Sequence, residues 1–309
     1  MSEAEQRPAF IGVDWGTSSF RAWLFDDKGG VLDLVQGPFG IRQITERSFE
    51  KTLRMAIGSW LVEHEDIAVI MCGMIGSAQG WCEAGYLSGQ IGVDELSSGM
   101  VKVPDTQLNV MIVPGIRGVS VAGLNDVVRG EETLLAGWLQ QQTDCEAVFC
   151  LPGTHSKWIV AREGQVNQLT TFMTGELFEL MRTRSILAPL IDSQAVADSK
   201  SDIFCKGLTL AKSAAGLLHQ IFAIRAGALT GQFAKSDILT LLSGVLVGAE
   251  CLAAKSLVQN RSVTLMSSGD LKQTYQNAFE HFGFVFSVAD SEQAAQKGLF
   301  SIFNHIQQG

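Results

Sequence analysis

Two tyrosines, six prolines and no pair of cysteines at CxxC spacing define what this chain of 309 residues does without. The cysteines that are present, Cys72, Cys82, Cys145, Cys150, Cys205 and Cys251, fall mostly inside apolar runs. That pattern excludes a zinc ribbon and a disulfide scaffold, and reads as reduced, buried thiols in a cytoplasmic protein. Positive charge is also scarce, with 23 Lys and Arg against 32 Asp and Glu, and no segment clusters enough of it to grip a phosphate backbone. No nucleic-acid partner is therefore expected. The opening "MSEAEQRPAF" has neither a basic n-region nor an apolar core, so no secretory signal is expected. Long apolar runs are missing too: "ILTLLSGVLVGAECLAA", from Ile238, is short and broken by Glu250, which reads as a buried core helix rather than a membrane span. What remains is ample apolar content for two cores and 32 glycines, a composition suited to a globular α/β protein with a small-molecule partner.

The glycines punctuate a repeat. "FIGVDW" and "FRAWLF" flank a Gly-Thr-Ser-Ser connection, and "DDKGG" turns into a third strand, "VLDLV", which predicts an antiparallel meander. A helix follows in "SFEKTLRMAIGSWLVEH", with Phe49, Leu53, Ile57, Trp60 and Leu61 at spacings of three and four, and then two β-rich runs, "IAVIMC" and "LNVMIV". After "GEETLLAGWLQQQ" the periodicity lapses and the opening pattern returns in "AVFCLPGTHSKWIVAREGQVNQLTT", with Trp23 and Trp158 each in the strand after the turn. Two such hairpins predict a duplicated domain, 1–136 and 137–309, hinged near 134–145, with the two turns facing across a cleft. Residues 202–258 read as a helical insertion in the second domain. The strand "VTLMSS", the helix "DLKQTYQNAFEHF", the strand "FVFSVA" and a last helix opened by Asp290 and Gln293 complete it.

Phosphoryl transfer needs backbone N–H groups and hydroxyls around the phosphates, and a carboxylate to hold magnesium. In "DWGTSS", Gly16 lets the backbone approach, Thr17, Ser18 and Ser19 offer hydroxyls and amides, and Asp14 ends the strand where Mg2+ or its waters would be held. The second turn offers Gly153, Thr154, His155 and Ser156, followed by Lys157, either a point charge for phosphate or a solvated strand lysine. An attacking hydroxyl needs a carboxylate to take its proton. Asp126, in "GLNDVVRGEETLLAG", is expected in a loop or first helical turn at the cleft floor, as that base or alternatively as a helix cap. Arg129 would orient the substrate or balance charge and Glu131 would bind a substrate hydroxyl, unless either is a solvated helix residue. In "MCGMIGSAQGWCEAGY", Gly76, Ser77, Gln79 and Trp81 would form the wall for a small polyhydroxy acid, or an irregular structural loop.

The pair "DWGTSS" and "PGTHSKW", with the later "LMSSGD", resembles the sugar kinase, heat-shock ATPase and actin superfamily. The resemblance implies two ribonuclease H-like domains around an interdomain cleft, with Gly269 in the adenosine segment. More narrowly, "DWGTSSFRAWL", "CGMIGSAQGW", "DVVRGEET", "LPGTHSKW" and "FMTGELFELM", in that order over nearly the whole chain, are similar to the 2-dehydro-3-deoxygalactonokinase family. That implies ATP and Mg2+, and transfer of the γ-phosphate to the 6-hydroxyl of 2-dehydro-3-deoxy-D-galactonate. It also strengthens Asp126, since Asn125-Asp126 followed by Gly130-Glu131 is similar to the base segment of bacterial sugar kinases. Two departures stand out: Leu151 replaces the counterpart of Asp14, and "SSGD" holds a single glycine. A kinase of another sugar or sugar acid, and a non-catalytic actin-like nucleotide switch, are the rival readings. The helices from Leu208 to Leu257 would offer a homodimer face or pack inside the second domain.

Overall fold

The computed structural model describes residues 7–64, 66–89, 91–139, 146–192 and 194–308. Its first half begins with the meander β1 (Pro8–Trp15), β2 (Phe20–Asp26) and β3 (Val31–Gly37), followed by α1 (Phe49–Glu63) and β4 (Ala68–Cys72). Short elements come next: β5 (Tyr86–Ser88), α2 (Val93–Ser98), β6 (Val101–Lys102), β7 (Val110–Ile112), β8 (Gly115–Val119), β9 (Asn125–Val128) and α3 (Glu131–Leu139). The second half repeats the plan with β10 (Ala147–Leu151), β11 (Ser156–Arg162) and β12 (Gln165–Phe172), then α4 (Thr174–Arg184), α5 (Asp202–Leu210), α6 (Gly216–Leu229) and α7 (Ile238–Val258). It closes with β13 (Val263–Met266), α8 (Gly269–Phe282), β14 (Phe286–Ala289) and α9 (Ser291–Gln308).

The duplication is visible in the sheets. One runs β3-β2-β1-β4-β7-β6 and the other β12-β11-β10-β13-β14, so each central strand is antiparallel to its hairpin partner and parallel to the strand on its other side. The parallel pairs require the crossover helices that the sequence supplies. The result is an α/β fold of two ribonuclease H-like domains of the actin-like ATPase type. Trp23 and Trp158 are both fully buried at matching places.

One core runs between the halves. Phe10 stacks on Phe25 and on Phe303 of α9, while Trp138 of α3 meets Phe149 of β10 edge-on. The last helix thus covers the first sheet, and α3 faces the second. The boundary expected between residues 136 and 137 falls inside α3, and residues 140–145 of the expected hinge, Cys145 among them, lie outside the described residues.

α7 is the one described helix long and apolar enough to cross a membrane, and most of it is buried in the protein. Of the helices considered as a dimer face, α7 packs inside, whereas Leu218, Phe222 and Leu229 of α6 are exposed. The sequence reading missed the small sheet β5-β8-β9, which places Asp126 in a strand instead of a loop or helical turn.

Candidate active site

A cavity of about 540 Å³ opens at the carboxyl ends of β1, β10 and β13. Asp14, Thr17 and Arg21 line it from the first hairpin, and Gly153, Thr154, His155 and Lys157 from the second. Arg129 and Glu131 come from the turn into α3, and Ser267 and Ser268 from the turn into α8. Two glycines allow the approach. Gly130, at φ +104°, would place a Cβ 3.2 Å from the Cα of Gly73, and Gly73, at φ +91°, would place one 2.8 Å from the Trp15 carbonyl. This contact seats the first turn of α3 beside the end of β1, bringing Glu131 near Asp14.

The charges in this cleft are mixed. Burial raises the Asp14 carboxyl to about 6; Arg21, 3.7 Å away, pulls it down, and the charge of Glu131 pushes it up. Glu131 is raised by burial, against the opposing pull of Lys157. Its Oε2 also accepts from the Arg129 backbone N–H at 3.0 Å. Behind it, burial and the Glu131 charge lift Glu132 to about 8, and both Glu132 oxygens accept from the Gly130 N–H. Arg129 is 9% exposed. Its guanidinium donates to the Gly85 carbonyl at 2.7 Å and lies 4.3 Å from the Tyr86 ring centroid, while its Nε and Nη1 have no partner. Gly76 is needed beneath it, since a Cβ there would lie 2.8 Å from Nη1.

Several expected residues lie elsewhere. Asp126 does not line the cavity: its Oδ2 accepts from the Thr171 N–H at 2.6 Å and its Oδ1 from the Thr171 hydroxyl at 2.8 Å, tying β9 to β12. Ser18 and Ser19 are exposed at the turn, where Ser19 accepts through its carbonyl from the Gly16 N–H. Ser156 is fully buried and donates to Glu250, so it faces the core rather than a phosphate. Lys157, open to either reading, is 7% exposed and lines the cavity. In the glycine loop, Ser77 donates to the Met74 carbonyl, Gln79 is exposed, and Trp81 packs on the first domain's outer core; Met74 and Tyr86 line the cavity instead. Gly269 begins α8 at φ +59°, next to the lining residue Ser268. His155 hydrogen-bonds Glu176 at 2.5 Å on the cavity rim.

A second, largely apolar cavity of about 270 Å³ adjoins the first through Gly153 and Leu271, between α4, α7 and α8. The sequence reading did not identify it, nor the Tyr86 and Arg21 contributions; only the apolar character of α7 pointed there. Together the site can hold an elongated anionic ligand with an apolar end, beside two carboxylates and several cationic side chains.

Residues 14–302 match the family described as 2-keto-3-deoxy-galactonokinase. A 2-dehydro-3-deoxygalactonokinase of Escherichia coli (strain K12) is 31% identical over 96% of this chain and 98% of its own length. A Rhizobium meliloti (strain 1021) protein named as a probable 2-dehydro-3-deoxygalactonokinase is 32% identical, over 94% of this chain and 95% of its own length. A crystal structure from Sinorhizobium meliloti that carries the same kinase designation superposes with a TM-score of 0.88 at 32% identity, covering 96% of this chain and 99% of that one.

Proposed function

The chain belongs to the 2-keto-3-deoxy-galactonokinase family, and from that premise we propose that it transfers the γ-phosphoryl group of ATP to the 6-hydroxyl of 2-dehydro-3-deoxy-D-galactonate. The observation that carries this is the convergence of both Gly-Thr turns, Asp14, Glu131 and Lys157 on one cavity. The triphosphate would lie between Thr17 and the Gly153-Thr154 turn, with Lys157 and the amino end of α8 supplying positive potential. Its base would enter the adjoining apolar cavity, and Arg129 would face the acid's carboxylate.

Glu131 takes the place that Asp126 was expected to fill as base. It stands at the cavity with a raised carboxyl, whereas both oxygens of Asp126 are held by Thr171. In the reaction the 6-hydroxyl loses its proton to a Glu131 oxygen, an O–P bond forms to the γ-phosphorus, and the bond to the ADP oxygen breaks. Proton transfer is favoured by a base of raised affinity, provided it is ionised when substrate arrives. Lys157 keeps Glu131 from rising further.

Among the described residues no three metal-binding side chains gather. Magnesium keeps several waters and takes one or two carboxylates together with substrate phosphates, and Asp14 lines the cavity beside both turns. Asp14, beside the Glu131 charge, is the residue to hold it. When bound, the ion would neutralise charge on the β- and γ-phosphate oxygens. Two lobes closing over this cleft would exclude water from the transfer. The reduced thiols and the ATP requirement suit a cytosolic location.

The test is ADP release across a panel of keto-deoxy sugar acids and free sugars. The proposal expects the galactonate derivative to give the highest kcat/KM; best turnover on an unmodified aldose would remove the substrate assignment, and no turnover with intact nucleotide binding would favour the switch.

A further inference from the structure

Glu250 is 2% exposed in the middle of α7, a carboxylate in an otherwise apolar stretch of helix. Its Oε1 accepts from Ser156 Oγ at 2.6 Å and Trp158 Nε1 at 2.8 Å; its Oε2 accepts from Tyr275 Oη at 2.7 Å and from Thr174 Oγ1. Four neutral donors fill the four lone-pair sites of one carboxylate, an arrangement that an amide or an alcohol could not satisfy in the same way. Burial raises the Glu250 pKa while all four hydrogen bonds pull it back. A buried anion costs too much to persist as filler, so its placement calls for a reason.

The donors show what it joins. Ser156 and Trp158 belong to β11 just after the second Gly-Thr turn, Thr174 opens α4, and Tyr275 stands on α8. Thr174 and Tyr275 line the apolar cavity, and Gly175, beside Thr174, packs so closely that a Cβ would lie 2.4 Å from the Gly153 carbonyl. The Glu176 N–H donates to the Thr154 carbonyl at 2.9 Å. One carboxylate therefore ties the walls of the base cavity to the turn that would meet the phosphates.

We infer that Glu250 is a positioning residue for the nucleotide, locking α4, α8 and the Gly153-Thr154 turn into one rigid half-site. This rests on the kinase reading above. It predicts that changes in the network weaken ATP and leave the sugar acid alone, because the acid side of the cleft is built from β5, β9 and the start of α3.

The experiment measures the affinity of a fluorescent ATP analogue and, separately, of the sugar acid, for wild type, Glu250→Gln, Thr174→Val and Thr174→Ser, with near-UV circular dichroism as the check on folding. Glu250→Gln is expected to weaken the ATP analogue at least about tenfold and Thr174→Val several-fold, with Thr174→Ser restoring wild-type binding and acid affinity held within twofold. Should Glu250→Gln not fold, the Thr174 pair decides. Folded variants that bind the analogue as tightly as wild type, or that lose acid affinity in parallel, overturn the inference alone. Wild-type protein that does not bind the analogue overturns the kinase reading and the inference with it.

Discussion

Glu131 and Asp126 are close neighbours in sequence, yet one lines the cleft and the other is fastened to Thr171. Nothing near Asp126 in the chain announces that partner, which arrives only with β12, so a carboxylate in a glycine-rich segment reads as catalytic when it is a sheet staple. Glu131→Gln is expected to lower kcat about 100- to 10,000-fold with ATP binding kept, as for loss of a general base. Asp126→Asn should keep kcat within a few-fold while lowering the thermal midpoint; a reversed result, read by coupled ADP release, would return the base to Asp126. Asp14 gives a pH test. Its folded pKa, raised from 3.8 to about 6, means that its protonated form favours the fold below pH 4 and that this benefit is lost as pH rises through 6. Asp14→Asn should therefore match wild type at pH 4 and exceed it above pH 7, by up to about 3 kcal/mol for a shift of this size, while losing activity. Thermal melts across that range would show a pH-independent offset if the assignment were wrong.

At the scale of elements, the two meanders were readable because apolar runs punctuated by Gly-Thr, Lys-Gly-Gly and Glu-Gly turns are local signals. The β5-β8-β9 sheet was not, since its strands are short, β8 carries two glycines, and β5 joins β8 across a long stretch of chain. Nor was the α3–α9 contact, where small residues carry information that periodicity hides. A Cβ on Gly298 would sit 1.8 Å from the Thr133 carbonyl, and one on Gly137 2.4 Å from that of Ala294. Gly298→Ala must separate the helices and with them the cleft floor. We expect it to destabilise the protein by about 3 kcal/mol, in the range of core overpacking, whereas Gly58→Ala, with open space around it, should stay near neutral or gain slightly. Chemical denaturation of the pair checks this.

For the molecule as a whole, the repeat fixes the site's position: each half delivers one turn to a shared cavity, and neither lines it alone. Chelation of divalent ions should abolish phosphoryl transfer, with recovery on adding magnesium. Small-angle scattering should show a smaller radius of gyration with ATP analogue and sugar acid together than with neither. An unchanged radius would argue that the cleft is already shut. The excess of acidic over basic residues pointed away from a nucleic-acid partner and towards a small-molecule one, but the closure of the core by α9 could not be inferred from composition. That closure has a consequence for biosynthesis. The aromatic face of β1 receives Phe303 from α9, a helix translated after every other element described above. A nascent chain must carry an uncovered first sheet until α9 has left the ribosome, and removing α9 should expose β1, far away in sequence, to chaperones and proteases.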